Sequence, residues 1–367
     1  MAEAGGAVVR VRADRVCGLP APPAGADRRG GSAPVRWATL DALATTLTTP
    51  PLRDDELLPA AVLAAALVDA CAAAVRAPRD SLEACVIALM AGGHVMIEDV
   101  PGVGKTVLAK SLARAAGCDF SRLQCTADLL PSDVTGITVW DQNAARFVFR
   151  PGPVFANLVL VDEINRASPK TQSALLECME EGQVTVDGET RALPAPFMII
   201  ATQNPVEYEG TFPLPEAQLD RFAVRVTIGY PPAADEAQML LDVAAADPLD
   251  AVAPVTDEAG VVAVRGVVER IHADPALARY VVGLVTATRR DGRAQLGGSP
   301  RAGLALLRAA KARALLERRA HALPEDVRAL APTVLSHRII LTPDARARGV
   351  AAADLVRDAL DAVPVPL

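Results

Sequence analysis

The sequence has few aromatic residues, few histidines and no excess of positive charge. Aromatic residues make up 3% of the 367 residues, and the formal net charge is −7. A protein that follows a nucleic-acid backbone needs a basic groove and aromatic stacking platforms. The composition therefore gives no strong nucleic-acid signal, although an oligomer could enclose a local basic channel.

Metal-binding and disulfide patterns are also absent from the sequence. The four histidines stand apart along the chain, and the six cysteines show neither C-x-x-C pairs nor paired spacing: Cys17, Cys71, Cys85, Cys118, Cys125 and Cys178. This spacing argues against a zinc site or a disulfide framework. We expect reduced, mostly buried cysteines and a cytoplasmic location.

Long hydrophobic runs are scarce as well. The first residues contain no apolar run of signal-peptide length. The most membrane-like segment, AAVLAAALVDACAAAV at residues 60–75, is interrupted by Asp69 and is rich in alanine, which contributes little hydrophobicity. We expect a soluble helix here and no membrane span.

What the chain does contain is enough hydrophobic sequence, 51%, for a sizeable aliphatic core. Residues 17–36 are rich in proline and glycine, and residues 1–50 are predicted to form a mostly disordered extension, followed by an alanine-rich helical segment at 51–77. Short apolar runs alternate with helical stretches over 78–232, which predicts an α/β domain with a mostly parallel sheet. Strand patterns then stop, so 233–342 is predicted to be a small all-helical domain and 343–367 a C-terminal helix and tail.

Two insertions interrupt the strand–helix alternation. Residues 136–149 and 183–193 both read as β-hairpins, and Asp187-Gly188 in the second suits a two-residue type I′ turn. In an unknown fold these would be taken for decorative surface hairpins.

The stretch DVPGVGKT resembles the phosphate-binding signature G-x-x-x-x-G-K-[ST], except that Asp99 stands at the first glycine position. Gly102 and Gly104 allow the backbone to wrap phosphates closely, Lys105 supplies a positive charge and Thr106 supplies a hydroxyl for magnesium. The first position lies before the part of the loop that surrounds the phosphates. An aspartate there makes the match to the signature weaker but has less effect on phosphate binding. Alone, the stretch fits a nucleotide site or an ordinary strand-to-helix turn.

Two further strand ends carry polar residues. Asp162 and Glu163 follow the buried run LVLV, where an ATPase needs an aspartate for magnesium and a glutamate that activates water. Asn204 follows the next apolar strand and could orient that water. Each feature also has an ordinary reading as a polar loop residue, but the three motifs in this order, each at a strand end, predict a nucleotide-hydrolysing site.

Residues 78–342 resemble the MoxR family of AAA+ ATPases, of the helix-2-insert clade. The resemblance is carried by EDVPGVGKT, LQCTADLLPSDVTG, VDEINRASPKTQSALLECMEEGQVTVDG, ATQNPVEYEGTFPLPEAQLDRF, SPRA and LAPTVLSHRI. It implies a P-loop AAA+ parallel-sheet core followed by a helical lid domain. The hairpins then resemble the helix-2 insert and the pre-sensor hairpin. Members of this family also place residues other than glycine at the first loop position.

The resemblance assigns roles to individual residues. Lys105 and Thr106 match the Walker A pair, and Asp162 and Glu163 match the Walker B pair, with Thr106 and Asp162 as magnesium ligands. Asn204 matches sensor 1. The other residues that would bind the nucleotide are Pro101, Gly102, Val103, Gly104 and Val107.

The arginines of the site are implied in the same way. Arg221 resembles the arginine finger that completes a neighbouring subunit's site, and Arg301 resembles the sensor 2 arginine of the lid. Arg166 and Arg225 are rival candidates for the role in the neighbour's site. An arginine that acts in a neighbour requires an oligomer, and the resemblance points to a hexameric ring of identical subunits.

The implied function is ATP hydrolysis, with ATP and Mg²⁺ as cofactors, coupled to chaperone-like remodelling or maturation of a protein partner. The resemblance suggests a partner with a von Willebrand factor A domain. Two alternatives stay open: a nucleic-acid-associated AAA+ motor, which the acidic composition disfavours, and a non-hydrolysing ATP-binding scaffold, which the intact Glu163 disfavours.

Overall fold

The computed structural model describes residues 52–204, 211–233, 236–237 and 247–366. The predicted extension at residues 1–50 therefore lies outside the described residues. So do residues 234–235 and 238–246 of the predicted all-helical domain.

A five-stranded parallel sheet forms the centre of the ATPase core. Its strands, in sheet order, are β2 (Phe120–Gln124), β5 (Leu158–Asp162), β8 (Met198–Gln203), β1 (Val95–Glu98) and β9 (Val224–Val226). Every residue of β5 is buried, as expected for a central strand covered on both faces. The predicted strands and their parallel arrangement are confirmed.

Helices pack on the sheet and on each other. The bounds in this part of the chain are α1 (Asp54–Ala74), α2 (Arg79–Met90), α3 (Lys105–Ala115), α4 (Pro131–Thr135), α5 (Pro169–Glu181) and α6 (Glu216–Leu219). Local sequence determines both ends of α5: the Ser168 hydroxyl accepts the Thr171 amide at 3.3 Å, and Gly182 ends the helix with φ +60°.

Helix α1 is long and apolar enough to cross a membrane by length and composition alone. In the structure it packs against α2 and α3, and its core-facing side includes Leu57, Leu67 and Cys71. The alanine-rich segment is thus a helix, as predicted, and part of the hydrophobic core.

Both predicted hairpins are present. The first pairs β3 (Gly136–Asp141) with β4 (Arg146–Pro151), and the second pairs β6 (Gln183–Val186) with β7 (Glu189–Ala192). The positive φ angles of Asp187 (+53°) and Gly188 (+80°) agree with the type I′ turn. The hairpins touch, since the Arg191 guanidinium lies 4.2 Å from the centre of the Phe149 ring.

The lid domain is helical, with one exception. Its helices, together with those of the C-terminal segment, are α7 (Glu258–Arg270), α8 (Pro275–Arg290), α9 (Pro300–Leu316), α10 (Pro324–Leu335), α11 (Pro343–Ala347) and α12 (Ala352–Ala362). The expectation of no strands beyond residue 232 is wrong for β10 (Ala294–Leu296) and β11 (Ile340–Leu341), which pair antiparallel. These strands are too short to leave a periodic pattern, and their pairing depends on the packing of the helices around them. Helix α12 packs on α8 and α10 and so extends the lid.

Candidate active site

The phosphate loop connects β1 to α3 and has the backbone shape that its glycines predict. Gly102 and Gly104 adopt φ angles of +87° and +90°, which residues other than glycine rarely adopt. Helix α3 begins immediately afterwards at Lys105. The free N–H groups of its first turn therefore belong to the same loop, and such helix starts favour anions.

Asp99, at the first loop position, anchors the loop. Its carboxylate is 6% exposed and accepts three backbone N–H groups, from Val100 at 2.9 Å, Ile228 at 2.6 Å and Gly229 at 2.7 Å. Ile228 and Gly229 follow the last strand of the core and lead towards the lid. The residue that departs from the signature thus ties the loop to the chain segment that leaves the core.

Lys105 points back across the loop. Its ammonium group donates to the backbone carbonyl of Asp99 at 2.5 Å. Burial lowers the pKa of Lys105, while the charges of Asp99, Asp162 and Glu163 oppose that shift. A partly buried cation surrounded by acids is well placed to exchange its carbonyl partner for a phosphate.

The acidic pair at the end of β5 is held by the neighbouring strand β8. The Thr202 hydroxyl donates to the Asp162 carboxylate at 3.0 Å and accepts the Glu163 amide at 2.9 Å. Glu163 has φ +54°, an unusual conformation for a residue other than glycine. Such backbone outliers cluster at functional sites, and here the outlier sets the direction of the Glu163 side chain.

Strand β2 supplies two residues that the sequence reasoning missed. Arg122 Nε donates to Asp162 at 2.7 Å, and Gln124 Nε2 donates to Glu163 at 2.9 Å. Their alternation along β2 was a usable signal, since residues two apart share one face of a strand. That β2 lies beside β5 is a property of the sheet order, which the sequence alone did not give.

One cavity of about 220 Å³ collects these groups. Its lining comprises Pro101, Gly102, Gly104, Lys105, Thr106, Val107, Arg122, Gln124, Asp162, Glu163, Thr202 and Asn204. Of the loop residues expected to bind nucleotide, Val103 is not in this lining and packs against the hydrophobic core. The other candidate residues from the three strand ends converge here.

The two candidate arginines of the core edge and the lid lie elsewhere. Neither Arg221 nor Arg301 lines the phosphate-loop cavity, and both line a second cavity, where they pair with the same carboxylate, Glu180. Arg221 lies 2.7 Å from Glu180 and also donates to the Leu176 carbonyl at 2.6 Å. The structure thus brings these arginines to each other and not to their own subunit's loop.

A partly buried network, centred on the buried Arg338, fixes the position of the two arginines. Asp220 accepts from the Ser299 hydroxyl and from Arg338 Nε, each at 2.8 Å. Ser299 also caps α9, the helix that carries Arg301. Burial lowers the pKa of Arg338 to about 10, so it stays charged at neutral pH beside Asp220. The network therefore holds Arg221 and Arg301 in fixed positions relative to each other.

The rival arginines pair with acids of their own subunit. Arg166 lies 3.2 Å from Glu163, and Arg225 lies 2.8 Å from Glu98 at the end of β1. Both contacts lie near the phosphate loop of the same chain, since Glu98 ends β1 just before the loop and Glu163 lines the phosphate-loop cavity.

Comparisons with known proteins agree with this architecture. A family profile described as "ATPase family associated with various cellular activities (AAA)" matches residues 94–224, and a profile described as "AAA lid domain" matches residues 286–359.

Relatives match most of the chain. The uncharacterized protein YeaC of Bacillus subtilis is 49% identical over 79% of this chain and 90% of its own length. Chaperone MoxR1 of Mycobacterium tuberculosis is 38% identical over 78% of each chain, and protein MoxR of Methylorubrum extorquens is 34% identical over 76% of this chain and 88% of its own.

Among solved structures, the crystal structure of a candidate ATPase from Cytophaga hutchinsonii has a TM-score of 0.80 and 36% identity, and it covers 85% of this chain and 98% of its own. The profile matches thus cover both the sheet-containing core and the helical lid, and the relatives and the solved structure cover between 76% and 85% of the chain. The chain belongs to the MoxR family of AAA+ ATPases.

Proposed function

We propose that the protein hydrolyses Mg–ATP at the phosphate-loop cavity and that neighbouring subunits of a ring, by family resemblance a hexamer, complete each site. The observation that supports this most directly is the convergence of Lys105, Thr106, Asp162, Glu163 and Asn204 on one cavity. The chain is an ATPase with a chaperone-like role in its family. What we propose is which residues act in hydrolysis, which metal ion is used and which kind of partner is bound.

Each residue of the cavity has a task that follows from its chemistry. Lys105 would bind the terminal phosphates as a point charge, and Glu163 would accept the proton of the attacking water. Asn204, buried at the end of β8, would orient that water. Thr202 holds Asp162 and Glu163 in register, so the metal ligand and the base are positioned by one hydroxyl.

The oxygen atoms of the cavity fit magnesium. Thr106 and Asp162 offer a hydroxyl and a carboxylate, and the described residues contain no cluster of three or more His, Cys, Asp or Glu that could form an all-protein cage. Mg²⁺ usually takes one or two protein oxygens and fills its shell with water and phosphates. When bound, it would neutralise charge on the phosphates. We infer that hydrolysis depends on magnesium.

Arg221 is the candidate for the residue supplied to the neighbour. It lies outside its own subunit's nucleotide cavity, and its Nε is buried with no hydrogen-bond partner among the described residues. An arginine delivered from a second subunit stabilises charge on the transferred phosphoryl group and is worth roughly 10³- to 10⁵-fold in GTPases. Assembly would then control activity.

We propose that the protein acts in the cytoplasm and that its partner, which the ring would remodel, has a von Willebrand factor A domain. The two touching hairpins are the candidate contact elements. Trp140 and Phe147, on the two strands of the first hairpin, form an exposed aromatic pair that offers apolar surface. Co-elution of the ATPase with such a protein in the presence of ATP would support this assignment. Separate elution with and without nucleotide would contradict it.

The test of the active site is a pair of matched substitutions. Glu163→Gln should keep ATP binding and lower turnover by about 10²- to 10⁴-fold, the usual contribution of a general base. Glu181→Gln, at an exposed position on α5, should leave both properties unchanged. Wild-type turnover in the Glu163→Gln variant, or turnover that persists in EDTA, would refute the assignment.

A further inference from the structure

The second cavity, which we call the arginine cavity, carries an excess of positive charge. Its volume is about 270 Å³, and the charged residues of its lining are Glu180, Asp220, Arg221, Arg301, Arg308 and Arg338. Four arginines against two acids leave a formal excess of two positive charges. His94 also lines it, but burial lowers the pKa of His94 to about 4, so it is neutral at pH 7.

Only one of the two acids can leave the cavity without disrupting the fold. Asp220 is held by Ser299 and Arg338 in the partly buried network. Glu180, one residue before the end of α5, contacts the arginines, and its side chain is 35% exposed. Its only polar contacts among the described residues are those with Arg221 and Arg301.

The arginines themselves have unused capacity. Arg308 is exposed and has no ion-pair or hydrogen-bond partner among the described residues, and the buried Nε of Arg221 has none either. Two guanidinium groups, those of Arg221 and Arg301, contact the Glu180 carboxylate, and Arg308 lines the same cavity. A guanidinium group binds carboxylate or phosphate through paired hydrogen bonds, and a phosphate group, with three terminal oxygens, can accept from more donors than one carboxylate.

We propose that Glu180 is an internal anion that occupies the arginine cavity of a free subunit, and that the terminal phosphate of a nucleotide held by the adjoining subunit displaces it. This rests on the proposed function, because it adds a gate to the trans-acting arginine site. Arg308 joins Arg221 and Arg301 as a third phosphate-binding cation. Glu180 thereby restrains activity until subunits assemble.

The first experiment compares Glu180→Gln with Glu181→Gln and Glu180→Asp. ATPase activity is measured against subunit concentration. Glu180→Gln should reach half-maximal activity at about a fivefold lower concentration, the size expected from removal of a partly exposed ion pair. Glu181→Gln and Glu180→Asp, which keeps the charge, should stay within about twofold of wild type.

Two outcomes would overturn the proposal. An unchanged concentration dependence in Glu180→Gln means that the carboxylate does not compete. A loss of activity as large as that of Arg221→Ala means that Glu180 supports the arginines instead of blocking them. Thermal unfolding of each variant shows whether a loss reflects misfolding, and Glu180→Asp then decides between charge and shape.

A second experiment does not depend on hydrolysis. In a Lys105→Ala background, which disables the subunit's own phosphate loop, tripolyphosphate binding is measured by calorimetry. Adding Glu180→Gln should tighten binding about fivefold, and adding Arg301→Ala as well should abolish the gain. Equal affinities would overturn the anion site even if the wild type proves to be an active ATPase.

The two experiments together identify the source of the anion. Tighter tripolyphosphate binding with no shift in the concentration dependence would mean that the cavity takes a free anion, which contradicts the assignment to a neighbour's nucleotide. Absence of ATPase activity in the wild type would refute the proposed function and leave the calorimetric result standing by itself.

Discussion

Replacing Asp99 with glycine would restore the consensus first residue of the phosphate loop, yet we expect the variant to be less stable and to bind ATP more weakly. The reason is the anchoring role of the carboxylate, which accepts the N–H groups of Val100, Ile228 and Gly229. The substitution removes this acceptor and adds backbone freedom at the entrance of the loop.

The size of the effect follows from burial. Ile228 is 3% exposed and Gly229 is partly buried, so water cannot fully replace the lost acceptor. A buried donor without a partner costs about 1–3 kcal/mol, and the added flexibility of glycine costs about 0.5–1 kcal/mol more. We expect a loss of roughly 1.5–4 kcal/mol in the free energy of unfolding. Asp99→Asn keeps one acceptor oxygen and should lose about 1–2 kcal/mol.

Urea unfolding and the dissociation constant of a fluorescent ATP analogue provide the assay. Asp187→Gly is the matched control, because it makes the same change at an exposed hairpin turn that already has φ +53°. The control should change the unfolding free energy by less than about 1 kcal/mol. An Asp99→Gly protein as stable as wild type, with equal or tighter ATP binding, would refute the anchoring argument.

Three further predictions concern the site and its support. Gln124→Leu removes the donor that holds Glu163 at 2.9 Å, so kcat should fall about 10- to 100-fold while ATP affinity changes little; equal kcat would show that this contact does not orient the base. Arg338→Met leaves the partly buried Asp220 carboxylate, 19% exposed, without its cation, so urea unfolding should show a loss of about 3 kcal/mol, the low end for a broken buried pair, and a loss below 1 kcal/mol would contradict it. The buried His94 has its pKa lowered to about 4, so only the unfolded chain takes up its proton between pH 6.5 and 4, and stability is lost as pH falls through that window. At pH 5 His94 alone should account for a loss of about 2 kcal/mol relative to pH 7, and His337, whose pKa burial also lowers, adds to it; equal urea midpoints at the two pH values would contradict this.

The sequence predicted those parts of the fold that local patterns determine. The buried run LVLV, the glycines of the phosphate loop and the Asp187-Gly188 turn each impose a local backbone shape, and all three appear as expected. The polar residues at strand ends were also predictable, since parallel strands bring their carboxyl ends to one edge.

Contacts between distant segments could not be predicted in this way. Arg122 joins the site because β2 lies next to β5, and Asp99 binds backbone groups about 130 positions later in the chain. Arg221 and Arg301 meet at Glu180 because the lid docks on the core. No pattern within a window of sequence contains these pairings, and the same holds for the two short strands of the lid.

The most direct test of the central claim, that adjoining subunits build each ATP site together, is a mixing experiment. Glu163→Gln lacks the proposed base and Arg221→Ala lacks the proposed trans arginine, so each variant alone should be inactive. In an equimolar mixture, about a quarter of the head-to-tail interfaces join an intact base to an intact arginine, and ATPase activity should reappear in proportion. A mixture as inactive as its components would contradict the account.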